Sequence, residues 1–343
     1  AAADRVEPME LVEAYMRSYF EDMDALNIQR PNISPRPSCH ITEQIELAQL
    51  LLERGYAYEV NGSVYFDVAS WPEYGKLSGR RVEEQEEGAR VAVNPDKKHP
   101  ADFAIWKTAE AGHILRWPSP WGWGYPGWHV ECSVMATKYL GQPFDIHGGG
   151  LENIFPHNEC EIAQIEAATG ETFCNYWLLN NMVTVDGVKM GKSLGNSISI
   201  KQALSRHAPM TIRFFVLSSH YRSPTDFSEG ALDAAGRGLE RLNSTVALVQ
   251  ERIGNATGED VDTADAAWAA KLDECRASFE AGMDDDFNTP RSIAALFDLS
   301  RDVNTFLNSD QPASRASLNA IEDLYRTLGS DVLGILFEGH ASG

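Results

Sequence analysis

Phe144-Asp-Ile-His-Gly-Gly-Gly-Leu-Glu-Asn-Ile-Phe-Pro-His-Asn-Glu-Cys-Glu-Ile-Ala-Gln164 is the stretch on which the fold turns. Phe144–His147 reads as a short strand and Gly148-Gly149-Gly150 as a turn. His157–Ala168 carries the pattern of a helix. A helix over Val130–Leu140 precedes the stretch, and a strand over Tyr176–Leu179 follows it. Helices alternating with strands predict an α/β region.

Outward from there the pattern changes twice. Toward the N-terminus, residues 8–27 form an amphipathic helical pattern, followed by a proline-rich connector (Pro31, Pro35, Pro37). A second helix runs from Thr42 to Arg54, stopped by Gly55. Tyr56–Val60 and Ser63–Val68 flank Asn61-Gly62, a strong hairpin signal. Residues 70–100 read as polar and irregular, with a charge run from Arg80 to Arg90 taken as a solvated loop. Trp117-Pro-Ser-Pro-Trp-Gly-Trp-Gly-Tyr-Pro-Gly-Trp128 predicts a rigid aromatic loop, either a packed plug or a substrate wall. Toward the C-terminus, Val183–Val185 and Val188–Met190 surround a second hairpin signal, Asp186-Gly187. Residues 199–336 read as nearly all helix, with Gly254–Asp260 as a linker. No internal repeat is present.

Composition narrows the class. The 343 residues are 43% apolar and 10% aromatic, the balance of a folded protein of two or three domains. No run of 18 apolar residues exists, and the first residues lack the apolar core of a signal peptide. Five scattered cysteines (39, 132, 160, 174, 275) fit a reducing, cytoplasmic setting better than a disulfide framework. The net charge of −21, with 9 Lys against 20 Arg, disfavours nucleic acid as a partner on bulk charge alone. It leaves room for local arginine clusters and for adaptation to a salty cytoplasm.

Two constellations carry chemistry. His157 and Glu161 lie four apart on one helix face, and Cys132 comes from another element. Sulfur, nitrogen and oxygen donors together suit Zn2+, with one position unfilled. Cys160, at i+3 from His157, competes with Glu161 on pattern alone. Lys189-Met190-Gly191-Lys192-Ser193 follows the second hairpin turn. Two lysines around a glycine can close on a triphosphate and neutralise charge on a leaving pyrophosphate. Bare backbone at Gly148–Gly150 would let a nucleotide approach.

In combination these segments resemble cysteinyl-tRNA synthetases, a family of class I aminoacyl-tRNA synthetases. The resemblance rests on Gly127-Trp-His-Val-Glu-Cys-Ser133, Phe144–Gly150, Phe155–Gln164, Lys189–Asn196 and Met283-Asp-Asp-Asp-Phe-Asn-Thr-Pro290, in the family's order across essentially the whole chain. It implies a Rossmann-like catalytic domain with an inserted connective region, followed by an all-α helical bundle. The implied divisions are 1–125 (end of the first Rossmann half and insertion), 126–185 (second half with the zinc site), 186–253 (lysine loop and stem-contact helices) and 254–343 (tRNA-contacting helices). It further implies one Zn2+ on Cys132, His157 and Glu161, settling the Cys160 question, because the family usually has Asn where Cys160 stands. Lys189 and Lys192 become catalytic lysines, with Lys192, His147 and Gly149 at ATP. Trp128 and His147 fall at the amino-acid pocket.

The implied reaction activates L-cysteine with ATP, with Mg2+, as cysteinyl-adenylate and then loads tRNA(Cys). The implied protein is a monomer with no membrane contact. Arg213 and Arg222 are candidate tRNA contacts. Gly191 stands where the family has Ser, Asn158 where it has His, Glu152 where it has Asp, and Tyr125 where it often has Arg. A His-Ile-Gly-His-type ATP signature and a fourth ligand are not found in these residues. The expectation is therefore a chain truncated at both ends, whose own activity is open. Two alternatives remain: the related cysteine:amino-sugar inositol ligase of mycothiol synthesis, and a non-catalytic fragment binding zinc or tRNA.

Overall fold

A computed structural model describes residues 6–80, 94–255, 266–309 and 314–336. It divides into two compact units, Ala1–Val12 with Pro31–Asn180 and Glu13–Arg30 with Asn181–Gly343, the partition falling within helix α1 (Pro8–Ala25). The larger part of the Arg80–Arg90 run and of the Gly254–Asp260 linker lies outside the described residues.

In the first unit, α2 (Ile41–Glu53) leads into the hairpin β1 (Ala57–Val60) and β2 (Ser63–Phe66). Asn61 and Gly62 both take positive φ, 51° and 78°, as the hairpin signal requires. β3 (Phe103–Thr108), β4 (Trp117–Ser119) and β5 (Gly122–Pro126) complete an antiparallel sheet in the order β1-β2-β3-β5-β4. The aromatic run 117–128 is thus not a loop over most of its length. Its glycines permit close strand approach. A Cβ at Gly124 would meet the Trp106 indole nitrogen at 2.2 Å, and one at Gly127 the Ala104 carbonyl oxygen at 1.9 Å. Pro118 is tolerated because β4 is an edge strand.

The chain continues through α3 (Val130–Leu140), β6 (Phe144–Gly150), a bent turn (Ile154–Asn158), α4 (Glu159–Thr169) and β7 (Cys174–Asn180). β6 and β7 pair in parallel from Phe144↔Cys174 to Gly150↔Asn180. The glycine run 148–150 therefore belongs to the strand, a correction to its reading as a turn. Backbone pairing with β7 holds it extended, a partner no local signal reveals. Nine of the eleven residues of α4 are buried, so its polar side chains must find partners inside the unit. Its Ile162 shares a core cluster with Val64, Phe66, Ile105, Val130 and Phe173.

The second unit holds the hairpin β8 (Val183–Val185) and β9 (Val188–Lys189), turned at Asp186 (φ 50°) and Gly187 (φ 75°). Besides the larger part of α1, its described helices include α5 (Ile200–Leu204), α6 (Pro209–Leu217), α7 (Glu229–Asn255), α8 (Ala266–Asp284), α9 (Thr289–Leu307) and α10 (Arg315–Tyr325). The mostly helical reading of 199–336 leaves short connections between helices, and one of them holds a strand. β10 (Thr225–Asp226), between α6 and α7, pairs in parallel with β8, and Asp226 accepts from Thr184 and from the Gly187 N–H. The last predicted helix also ends early. After Tyr325 the coil widens over Arg326–Val332, and the chain turns back at Gly334 (φ 65°) to lay Leu336 on Gly329. Leu232, Leu242, Leu296, Leu318, Ile321 and Tyr325 anchor the helical core. Met23 and Leu26 also belong to it.

Candidate functional site

Cys132 sits in the first turn of α3, His157 in the bent turn before α4, and Glu161 in the first turn of α4. One donor atom from each comes within 4.8 Å of the other two. Cys160 lies elsewhere. It is fully buried, with its sulfur 3.6 Å from the Tyr74 hydroxyl. Of the two competing residues, it is Glu161 that the fold brings to Cys132 and His157.

The Glu161 carboxylate has no exposed surface. Oε2 is 2.7 Å from His147 Nε2. Oε1 is buried 2.9 Å from His157 Nε2, in a geometry that is not a hydrogen bond. Two electron-pair donors crowded this closely are what an ion would relieve. Burial alone would raise the Glu161 pKa. The imidazoles of His147 and His157 outweigh it and hold the carboxyl down to about 2. Burial, reinforced by Glu161, pushes the Cys132 thiol up to about 12.

The far side of the His157 ring meets His129, Nδ1 to Nδ1 at 3.0 Å. Burial first, then the neighbouring His157, lowers the His129 pKa to about 4, so it is neutral near pH 7 and can accept the His157 N–H. Sequence reasoning missed His129. Its position three residues before Cys132, at the start of the same helix, was the available signal. Trp128, 62% exposed, tilts against the His157 ring at 4.7 Å between centroids and forms an open wall of the cluster. His147, expected at the substrates, lies on Glu161 and stacks on Trp177 at 4.4 Å. A Cβ at Gly148 or Gly149 would meet neighbours only at 3.7 Å or beyond. Nothing within the described chain demands glycine at either position.

The lysine loop belongs to the second unit. Lys189 ends β9, and Lys192 opens a short 3-10 turn (Lys192–Leu194). Both side chains are exposed, and neither has an ion pair among the described residues. Gly191 is extended (φ −164°), and a Cβ there would have room. Asn196 ties the loop. Its side chain accepts from the Gly191 N–H at 2.9 Å and donates to the Lys189 carbonyl at 3.0 Å. The candidate arginines are already engaged. Arg213 donates to the carbonyls of Leu26, Asn27 and Leu333, and Arg222 pairs with Asp286 at 2.6 Å.

The family description "tRNA synthetases class I (C) catalytic domain" matches residues 1–237, and "DALR domain" matches 278–338. The chain is 52% identical over 338 residues to a cysteine–tRNA ligase of Deinococcus radiodurans, covering 98% of this chain and 67% of that protein. It is 48% identical over 339 residues to one of Thermus thermophilus, covering 98% and 69%. Among solved structures, Mycobacterium tuberculosis methionyl-tRNA synthetase bound by methionyl-adenylate superposes with a TM-score of 0.66 at 16% identity, covering 97% of this chain and 81% of that one. Thermus thermophilus arginyl-tRNA synthetase gives 0.58 at 16%, covering 96% and 63%. These two likenesses establish the fold alone, an α/β region followed by a helical one. Sequence identity over nearly the whole chain goes further: the chain belongs to the cysteine–tRNA ligase family of class I aminoacyl-tRNA synthetases, which use ATP, an amino acid and tRNA.

Proposed function

We propose that Cys132, His157 and Glu161 hold one Zn2+, and that this site selects the cysteine thiol. The observation that carries the reading is the convergence of three donors within 4.8 Å of one another, with a buried Glu161 oxygen that makes no hydrogen bond. A bound zinc ion supplies a soft Lewis-acid position that a thiolate occupies well and a protonated serine hydroxyl poorly. Discrimination by such a required bond can reach about 10⁴, enough to dispense with editing.

The chain's own groups do the rest. His129 fixes the His157 ring and His147 the Glu161 carboxylate. Trp128 walls the amino-acid pocket, and His147 borders it. The space left open at Gly148 and Gly149 accommodates the nucleotide, with His147 and Gly149 beside it. The cysteine carboxylate attacks the α-phosphate of ATP, and pyrophosphate leaves with its charge neutralised by Lys189 and Lys192 and by Mg2+. The resulting cysteinyl-adenylate is then attacked at its carbonyl by a ribose hydroxyl at the 3′ end of tRNA(Cys), the acyl-phosphate bond breaks, and AMP leaves as the cysteinyl ester forms. Residues 126–185 carry the zinc chemistry, 186–253 the lysine loop and stem contacts, and 254–343 the tRNA-facing helices. We place the protein in the cytoplasm as a monomer. Five free cysteines support the compartment. No described helix is long and apolar enough to cross a membrane.

Cobalt titration tests the reading. The chain should take up one equivalent of Co2+ with a thiolate charge-transfer band, and Cys132→Ser should abolish the band. A band of full intensity in that variant would assign the metal to another cysteine and end the proposal. ATP–pyrophosphate exchange that depends on cysteine and ignores serine is the matching activity. Equal exchange with serine would refute thiol selection.

A further inference from the structure

The first turn of α4 carries two buried acids with different surroundings. Glu161 faces the metal donors. Glu159, two residues earlier and about 200° around the helix, faces the other way. It is fully buried and has no ion-pair partner among the described residues. Backbone N–H groups surround it instead. Gly75 donates to Oε1 at 2.9 Å, Ser78 to Oε2 at 2.8 Å, and Leu77 to Oε2 at 3.2 Å. Its place at the start of α4 adds the positive end of the helix dipole.

The donating loop is shaped in advance. Gly75 has φ 98°, and a Cβ there would lie 1.9 Å from the Arg80 carbonyl oxygen. Gly79 N–H closes on the Gly75 carbonyl at 2.8 Å. The same loop grips α4 and the turn before it at three more points. Tyr74 meets Cys160, Lys76 pairs with Glu166, and the Arg80 guanidinium lies 4.5 Å over the Phe155 ring. A buried carboxylate without a cation is costly, and an apolar side chain would serve packing alone better. Its position between two candidate ligands gives the expense a purpose. A helix rotation of a few tens of degrees would swing His157 and Glu161 away from Cys132, and a multidentate hold on the opposite face resists that rotation.

We propose that Glu159 is a positioning residue. By binding the Gly75–Ser78 backbone it sets the rotation of the His157–Glu161 turn, and through it the metal affinity of the Cys132, His157 and Glu161 cluster. It touches no substrate. The proposal rests on the zinc reading above.

The test measures Co2+ and Zn2+ affinity of the full chain by chelator competition, with the cobalt spectrum and the unfolding midpoint of the metal-free protein. Glu159→Ala should weaken metal affinity about 10- to 100-fold, the usual effect of removing a group that orients a ligand. It should also shift the cobalt ligand-field bands. Glu159→Gln keeps the volume and one acceptor oxygen, and should give a smaller loss in the same direction. Lys76→Met removes a contact of the same loop and should leave affinity unchanged. A lowered midpoint with unaltered affinity and spectrum in both Glu159 variants would reduce Glu159 to a packing role and overturn the proposal. Equal weakening by Lys76→Met would overturn it too, by assigning the effect to the whole loop. If Glu159→Ala fails to fold, Glu159→Gln carries the decision. Absence of metal uptake by the unaltered chain would refute the zinc reading itself, and this proposal with it.

Discussion

The metal cluster and the lysine loop are built on opposite physical terms. Glu161 is fully buried, its neighbours His129 and His147 are themselves held, and α4 is packed on nearly every side. Lys189 and Lys192 stand in solvent, on a two-residue strand and a single 3-10 turn tied by Asn196. On the proposed reading, telling a thiol from a hydroxyl needs donors that cannot adapt to the wrong ligand, and the buried packing of the cluster suits that task. On the same reading, gripping a polyphosphate and then releasing it needs cations that can move, and two exposed lysines on short elements suit that task. One region lends itself to selection, the other to rate.

The contrast can be broken by separate readouts. Lys192→Ala should have the largest effect, lowering the exchange kcat by about 10²–10³ while cysteine binding and the unfolding midpoint hold. A matching fall in cysteine affinity would contradict the division of labour. Glu161→Gln should do the reverse. Three donors sharing an apparent binding free energy on the order of 10 kcal/mol make each worth about 3 kcal/mol, or roughly a hundredfold in metal affinity. Unchanged zinc uptake would remove Glu161 from the ligand set. Leu296→Ala, fully buried in the helical core, should destabilise the second unit by about 2–5 kcal/mol in denaturant unfolding. Asn196→Ala should change the exchange rate only a few-fold and leave the unfolding midpoint alone, because the net worth of each bond to an exposed loop is about 1 kcal/mol.

The smallest effect is one of pH. The Tyr221 hydroxyl, and after it Arg222, hold the Asp286 carboxyl below its usual 3.8. A depressed folded-state pKa stabilises above the unfolded value, and the benefit disappears as pH falls through the folded one. The acid limb of the stability curve should therefore begin near pH 4. Asp286→Asn should flatten that limb and leave stability unchanged at its acid end, below the folded-state pKa, and an identical acid limb in the variant would remove the pair from the stability account.

Local chemistry by itself determined much of this protein. The helix predicted over Val130–Leu140 has those limits in the structure. The Asn61-Gly62 and Asp186-Gly187 turns are hairpins because Asn, Asp and Gly accept positive φ, a property of the residues alone. Cys132, His157, Glu161 and the two lysines could be named from spacing and resemblance. What spacing could not supply was partnership across the chain. The 117–128 run becomes strand because β3 pairs with it, Trp106 and Lys107 lying against Gly124 and Ala104 against Gly127. Gly148–Gly150 stays extended because β7 pairs with it. His129 against His157, His147 against Glu161, and Glu159 within the Gly75–Ser78 backbone exist only once α3, α4 and the loops are stacked. A residue carries its donors, its charge and its backbone preferences wherever it goes, but whether two such groups meet depends on how distant segments pack, and packing is decided by the whole fold.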